Sequence, residues 1–224
     1  MKHSRVRFGE VADSSSRRGI FFTRYLSRNT FLICLASLVT FFTSTTIADA
    51  ANDSWKKLAR GGYVILLRHT ATVPGVGDPT GFALNDCATQ RNLSVVGRAQ
   101  AERWRKAIAE HKAPIGEVFS SEWCRCIDTA KIAFGDANSP PKKWSALNSF
   151  FESAQNQSAQ TAAVKKRLPA LLQDAKKLGR NVVFVTHQVN ITALTGVAPQ
   201  SGEAIVIELD AQRNISVVGR MLVE

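Results

Sequence analysis

The chain has 224 residues, with 29 Lys and Arg against 18 Asp and Glu, giving a formal net charge of +11 at pH 7. Its 45% hydrophobic content is enough for a folded core and excludes a disordered polyelectrolyte. It shows no zinc-finger spacing, glycine-rich phosphate loop or aromatic–basic interleaving; nucleic-acid binding would rest on charge alone, and the balance suits an anionic small molecule or surface instead.

Residues 1–50 read as a signal peptide. Lys2, Arg5, Arg7, Arg17, Arg18, Arg24 and Arg28 form a basic start, residues 31–39 are apolar apart from Cys34 and Ser37, and Ala48-Asp49-Ala50 is a small-x-small cleavage site. The stretch 16–22, with Arg17-Arg18 followed by Phe21-Phe22, resembles a twin-arginine signal, so either general or twin-arginine export fits. The apolar run is shorter than the roughly 20 residues of a membrane span. The expectation is therefore cleavage after Ala50, a periplasmic or secreted protein, and no stable membrane span after cleavage. The leader removes seven Lys/Arg and three Asp/Glu, leaving a mature domain, 51–224, at +7.

Residues 51–62 predict a short amphipathic start with Trp55, Leu58 and Ala59 on one face, stopped by Gly61-Gly62. A buried strand follows at 63–67 and ends on Arg68-His69. Residues 70–92, with Pro74, Gly75, Gly77, Pro79 and Gly81, form a long connection expected to rim a site. Ser94 caps a helix over about 95–111, with Gly97, Ala101, Trp104 and Ile108 inward. His111, at its tail, is expected to be solvated. A second strand at 115–119 leads through Ser120–Arg125 into a helix containing Ile127, Ala130 and Phe134. A third strand is placed at 142–147. A helix over 159–178 turns Val164, Leu168, Leu171, Ala175 and Leu178 inward, and Pro169 should kink or split it. The strand 181–186 ends on His187, a helix runs from about 189 to 195, and strands 204–209 and 216–222 close the chain at a sheet edge. The alternation of strand and helix predicts a three-layer α/β/α sandwich with a mostly parallel central sheet.

Arg68, His69, Arg125 and His187 each follow a predicted strand closely. Ligands of such sheets bind beyond the carboxyl ends of the parallel strands. Guanidinium forks suit phosphoryl oxygens, and a neutral imidazole can attack phosphorus to form a covalent intermediate. A second imidazole can donate to the equatorial oxygens of the transition state. Spacing alone also leaves zinc binding or acyl transfer open, although a zinc site lacks a third ligand. Of the mature cysteines, Cys124 and Cys126 are too close for an easy mutual bridge. A link from Cys87 to one of them would leave one thiol free; three buried thiols is the alternative.

Four segments together resemble the histidine phosphatase superfamily, the phosphoglycerate-mutase-like fold. Leu67-Arg68-His69-Thr70 is similar to its Arg-His-Gly signature, with Thr70 in place of the glycine. Residues 93–101 are similar to its Leu-Thr/Ser-x-x-Gly-x-x-Gln-Ala segment. Residues 120–130 are similar to its Ser-Ser-x-x-x-Arg-x-x-x-Thr-Ala box, and Val185-Thr186-His187 to its second histidine block. The resemblance spans about 62–220. It implies hydrolysis of phosphate monoesters without metal or cofactor, with His69 as the phosphorylated nucleophile, Arg68 and Arg125 clamping phosphate, and His187 completing the pocket. Ser94 and Gly97 would serve as a cap and a close helix contact, and the Thr70 hydroxyl is expected against the pocket wall.

The general acid is expected in the segment after the third strand. Glu152 is the first candidate, Asp86 the second, and Glu203 a weaker third. Without an acid in place, good leaving groups such as phosphohistidine would be favoured. Arg91 and Asn92 are candidates for phosphate binding or for bracing the rim. A bridge from Cys87 to Cys126 would tie that rim to the Arg125 loop. Gln188 and Asn190 are expected to orient His187. The partner implied is a phosphorylated small molecule, for example an envelope sugar phosphate; a phosphomutase and a degenerate phospho-ligand-binding module are the alternatives.

Overall fold

The computed structural model describes residues 47–135 and 140–223, all within one unit spanning 44–224. The basic start and apolar run of the expected leader lie outside the described residues. The expected cleavage point after Ala50 falls in the first helix. Among the described residues, no helix is long and apolar enough to cross a membrane.

The architecture is a three-layer α/β/α sandwich around six strands in the order β3-β2-β4-β1-β5-β6. The strands are β1 Val64–Arg68, β2 Ile115–Ser120, β3 Lys142–Lys143, β4 Asn181–Thr186, β5 Glu203–Leu209 and β6 Ile215–Leu222. The first four pair in parallel, and β5 and β6 join antiparallel at one edge, as expected of the closing strands. The helices are α1 Ile47–Arg60, α2 Val95–Glu110, α3 Cys124–Phe134, α4 Gln157–Leu178 and α5 Gln188–Thr195.

Strand residues alternate between two cores with the period of two that a pleated backbone imposes. Ile65, Leu67, Val183, Val185, Ala204 and Val206 meet Trp55, Leu58, Ala101, Trp104 and Ala130 from α1, α2 and α3. Val64, Leu66, Val182, Phe184, Ile205 and Ile207 meet Val164, Leu168, Leu171, Leu172 and Ile191 from α4 and α5. Both faces are covered, so β1 and β4 are near-continuous apolar runs rather than alternating ones.

Several local expectations are corrected. The third strand is only two residues long. Lys142 and Lys143 are exposed, which suits a sheet edge, and the chain then turns through a 3₁₀ turn at Ser145–Leu147. The helix α4 runs through Pro169 without a break. The proline removes the bond to the carbonyl of Lys165, which lies on an exposed turn where water can replace it. Leu178 is 63% exposed rather than inward. In α1, Ala59 is exposed, and Ser54 joins Trp55 and Leu58 on the buried face. His111 stacks on Trp55 with ring centroids 4.4 Å apart rather than standing free in solvent.

Two expectations about α2 hold. Ser94 Oγ accepts the N–H of Gly97 at 3.0 Å. Gly97 has no room for a side chain, since a Cβ there would lie 1.8 Å from the carbonyl oxygen of Ala71. The helix is thereby pressed onto the chain just beyond His69.

Candidate active site

The sheet topology brings the two histidines together. Strands β1 and β4 are parallel neighbours with Arg68 paired to Thr186, so the next residues of both strands emerge side by side. The His69 N–H donates to the Thr186 carbonyl at 3.0 Å. The rings lie 5.4 Å apart, centroid to centroid, at 69°. On the other side of β4, the Ser121 N–H donates to the Val185 carbonyl at 2.9 Å. This sets the start of α3, and with it Arg125, at the same sheet end. All four residues line one cavity of about 350 Å³, a size suited to a small-molecule ligand.

The tautomer of His69 is fixed by its neighbour. Its Nδ1 lies 2.9 Å from the Thr70 carbonyl, which can only accept, so Nδ1 carries the hydrogen and Nε2 keeps its lone pair. The ring is buried, and its pKa is lowered to about 3 by burial and then by the charges of Arg125, Arg68 and Arg91, against the bond to Thr70. His187 is held well below its ordinary value by burial first, then by His69 and the same arginines. Both imidazoles are therefore neutral at pH 7. His187 Nε2 lies 2.9 Å from Ser121 Oγ and 3.5 Å from Cys126 Sγ. The single hydroxyl hydrogen of Ser121 also reaches Asn148 Oδ1 at 3.1 Å. Given to His187, it places the imidazole hydrogen on Nδ1.

Three guanidiniums surround the rings. Arg68 is anchored through Nη1 to the Pro199 carbonyl at 2.9 Å. Arg125, only 3% exposed, donates through Nη1 to Asp78 Oδ1 at 2.8 Å. Arg91 donates to the Val76 carbonyl at 3.1 Å, and its own N–H reaches Asp78 Oδ1 at 3.0 Å. Their mutual closeness is visible in Arg68, whose pKa is lowered by burial and by the charges of Arg91 and Arg125. The Nε atoms of all three are buried without a protein acceptor. All three residues line the one cavity, and three guanidiniums gathered there suit an oxyanion. Two helices also begin here. Trp123 caps α3 and His187 caps α5, neither with a side-chain capping bond, so their positive ends add to the field.

Thr70 does not serve the pocket wall. Its N–H and hydroxyl both meet Thr129 Oγ1 at 3.1 Å, and Thr129 in turn donates to the Arg125 carbonyl at 2.7 Å. It locks the chain beyond β1 to α3, joining the segment that carries His69 to the one that carries Arg125.

The remaining expectations divide. Glu152 and Arg91 line the cavity. Asp86 does not; it caps the 3₁₀ turn Cys87–Thr89 by accepting the Ala88 N–H at 3.0 Å. Asn92 is also withdrawn from phosphate binding, since its Nδ2 donates to the Cys87 carbonyl. Glu203 is taken up by Arg220 and the Gln200 N–H. Gln188 lines the cavity, while Asn190 donates to the Asn148 carbonyl at 2.9 Å.

The disulfide joins Cys87 to Cys124, not to Cys126, with Cα atoms 5.7 Å apart. Residues two apart on a helix point about 200° from one another. Cys124 therefore faces the rim, while Cys126 is fully buried against His187. Burial pushes the Cys126 thiol up to about 12, which leaves it protonated and unreactive.

Asp78 escaped the sequence reading. It is a lone carboxylate in a Pro/Gly-rich stretch, and its only signal was a place in the rim loop. Burial would raise its pKa, but the Arg125 hydrogen bond and charge, with the Arg91 N–H and charge, hold it below its ordinary value.

Residues 64–151 match the family model of the histidine phosphatase superfamily (branch 1). No curated protein sequence matches the chain. Several solved structures share the fold. The protein histidine phosphatase SixA complexed with tungstate has a TM-score of 0.52 at 14% identity, over 71% of this chain and 96% of that one. A mycobacterial glucosyl-3-phosphoglycerate phosphatase complexed with VO3 has 0.52 at 15%, over 69% and 96%. A candidate alpha-ribazole-5'-P phosphatase from Escherichia coli has 0.52 at 20%, over 72% and 96%.

Proposed function

We propose that this chain is a member of the histidine phosphatase superfamily and an exported, metal-independent phosphatase of small phosphate monoesters that works through phosphohistidine at His69; the family match over residues 64–151 supports the first part. The observation that carries this reading is the fixed tautomer of a neutral His69, with its Nε2 lone pair free, in a cavity also lined by Arg68, Arg91 and Arg125.

In the first step, His69 Nε2 attacks phosphorus and the bond to the leaving oxygen breaks. Arg68 and Arg125, with Arg91, hold the equatorial oxygens, and His187, fixed through Nε2 against Ser121, completes the pocket around them. The leaving alkoxide takes a proton from Glu152, the sequence-predicted acid that lines the cavity. In the second step, water gives a proton to Glu152 and attacks phosphorus, and the Nε2–P bond breaks. The mouth is open, with Phe151 78% exposed and Glu152 exposed beside it. Water can reach a phosphoenzyme there, which favours hydrolysis over a phosphomutase. Export is supported by the leader-like sequence and by the Cys87–Cys124 bridge, which persists in an oxidising compartment.

The test is rapid mixing of residues 51–224 with a phosphomonoester in the presence of a chelator, followed by acid-free trapping and mapping of the phosphate. Label on His69, absent from His69→Ala, is the expected result. Turnover that disappears with chelator, or label on another residue, would overturn the reading.

A further inference from the structure

The floor of the cavity accounts for a phosphate; its mouth is a different surface. Phe82, Trp123, Phe151 and Val189 line it, together with Glu152 and Gln188. Phe82 and Trp123 pack against each other with centroids 5.3 Å apart at 48°. Phe151 makes no comparable contact. Its neighbour Phe150 is 5% exposed, while Phe151 is 78% exposed, the one aromatic among the exposed large hydrophobic side chains of the described residues. An isolated exposed apolar side chain is ordinary. This one stands on the wall of a cavity, next in the chain to the candidate acid Glu152. Phe150 pins the turn from below, so the outward position of Phe151 is set by the fold.

Resting on the phosphatase reading, we infer that the leaving group of the substrate carries a ring with an apolar face, which seats against Phe151 and the Phe82–Trp123 pair. Glu152 and Gln188 then lie at the polar edge of that ring. Phe151 and Phe82 are specificity-determining residues, not catalytic ones. A ring covering an exposed phenyl removes apolar surface from both partners, and aromatic faces add an offset or edge-on preference. Discrimination against a ligand of equal charge without a ring is expected at about tenfold or more, the scale of apolar groups in binding pockets.

Binding of two inert phosphonates separates this from the chemistry. Titration calorimetry with 2-phenylethylphosphonate and n-propylphosphonate compares ligands with the same charged end, on the wild type, Phe151→Ala, Phe82→Ala and Phe151→Trp. The expected result is a tenfold or greater preference of the wild type for the ring, reduced several-fold in each alanine variant and kept in Phe151→Trp. Equal binding of the two ligands by the wild type, or a preference that survives both alanine variants, overturns the inference. A weakening shared equally by the two ligands also overturns it, because it would place Phe151 and Phe82 in the phosphate site or in the fold alone. Because no step is turned over, the result stands apart from the phosphohistidine trap. Loss of the label with the ring preference intact would sink the catalytic reading only, and the reverse outcome this inference only.

Discussion

On the floor of the cavity, His69, His187 and Arg125 are each at most 4% exposed. They hang from strand ends and a helix start that are bonded to one another: backbone to backbone from His69 to Thr186 and from Ser121 to Val185, and from the Thr70 N–H to the Thr129 hydroxyl. On the rim, Glu152 and Phe151 are exposed, and Asp78 belongs to a loop held by a few polar bonds and one disulfide, from which Arg91 reaches the floor. The floor meets the phosphate, which every substrate of this reaction shares, and needs fixed geometry because misplacement of the nucleophile by an ångström is costly. The rim meets the leaving group, where substrates differ, and it is built from loops that can change without disturbing the sheet.

If that division is right, the largest losses come from the floor. Arg125→Ala is expected to reduce kcat/KM on the order of 10³-fold, the upper range for removing one donor to a developing oxyanion. The loss should be nearly the same for every substrate. Arg125→Lys should recover little, because an ammonium cannot reproduce a planar fork held by Asp78. Steady-state rates over a panel of esters would show this; a loss confined to one substrate would break the comparison. The rim predicts the opposite pattern. Glu152→Gln should cost on the order of 10²-fold on alkyl phosphates, the scale of general acid catalysis, and much less on aryl phosphates, whose leaving group departs without a proton. A uniform loss on both would assign Glu152 to the floor.

A smaller effect is expected from the disulfide. It closes a separation of 37 residues and ties the exposed Cys87 of the rim to the first turn of α3, next to Arg125. The Cys87→Ser, Cys124→Ser double variant should lose about 2–4 kcal/mol of stability, the usual range for such a link. Denaturant unfolding measures it. Since Arg125 is also fixed by Thr129, the folded variant should keep its phosphate affinity within a few-fold and show most of the damage in protease sensitivity of residues 70–92.

The same division governs what was legible in the sequence. The floor was readable because its residues follow apolar runs: β1 and β4 announce themselves, and His69 and His187 come next. The closing antiparallel strands and the helix over 95–110 were readable for the same reason, periodicity bounded by a cap or a turn. The rim was not. Asp78 finds Arg125 across 47 residues, and Asp86, equally acidic and in the same loop, merely caps a turn. Nothing local distinguishes them, because long-range pairing in an irregular loop leaves no period. Cys124 and Cys126 were ambiguous until the helix start was fixed, since a shift of the boundary by one residue turns a different thiol toward Cys87. Pro169 does not split its helix: the rule is local, and the packing of Val164, Leu168, Leu171 and Leu172 keeps α4 continuous through it.

The most general prediction uses acid to separate floor from rim. The two histidines are neutral in the folded protein, with His69 at about 3 and His187 well below 6.5, whereas in the unfolded chain both take up a proton near 6.5. Below 6.5 the unfolded state binds more protons, so the stability these residues contribute is complete above that pH and is lost progressively as pH falls toward 3. Asp78 is also depressed, but from 3.8, so its share is present above 3.8 and is lost only below it. Between pH 6.5 and 4 the floor alone should therefore soften, by at most about 1.4 kcal/mol per pH unit for each histidine. Urea unfolding from pH 7.5 to 4.5 should show this slope. His69→Gln and His187→Gln should each flatten it whatever they do to absolute stability, and Asp78→Asn should leave it in place over that interval. A slope unchanged in both glutamine variants would mean that both rings take up protons in the folded protein as they do in the unfolded chain, and that burial and the arginines do not hold them neutral.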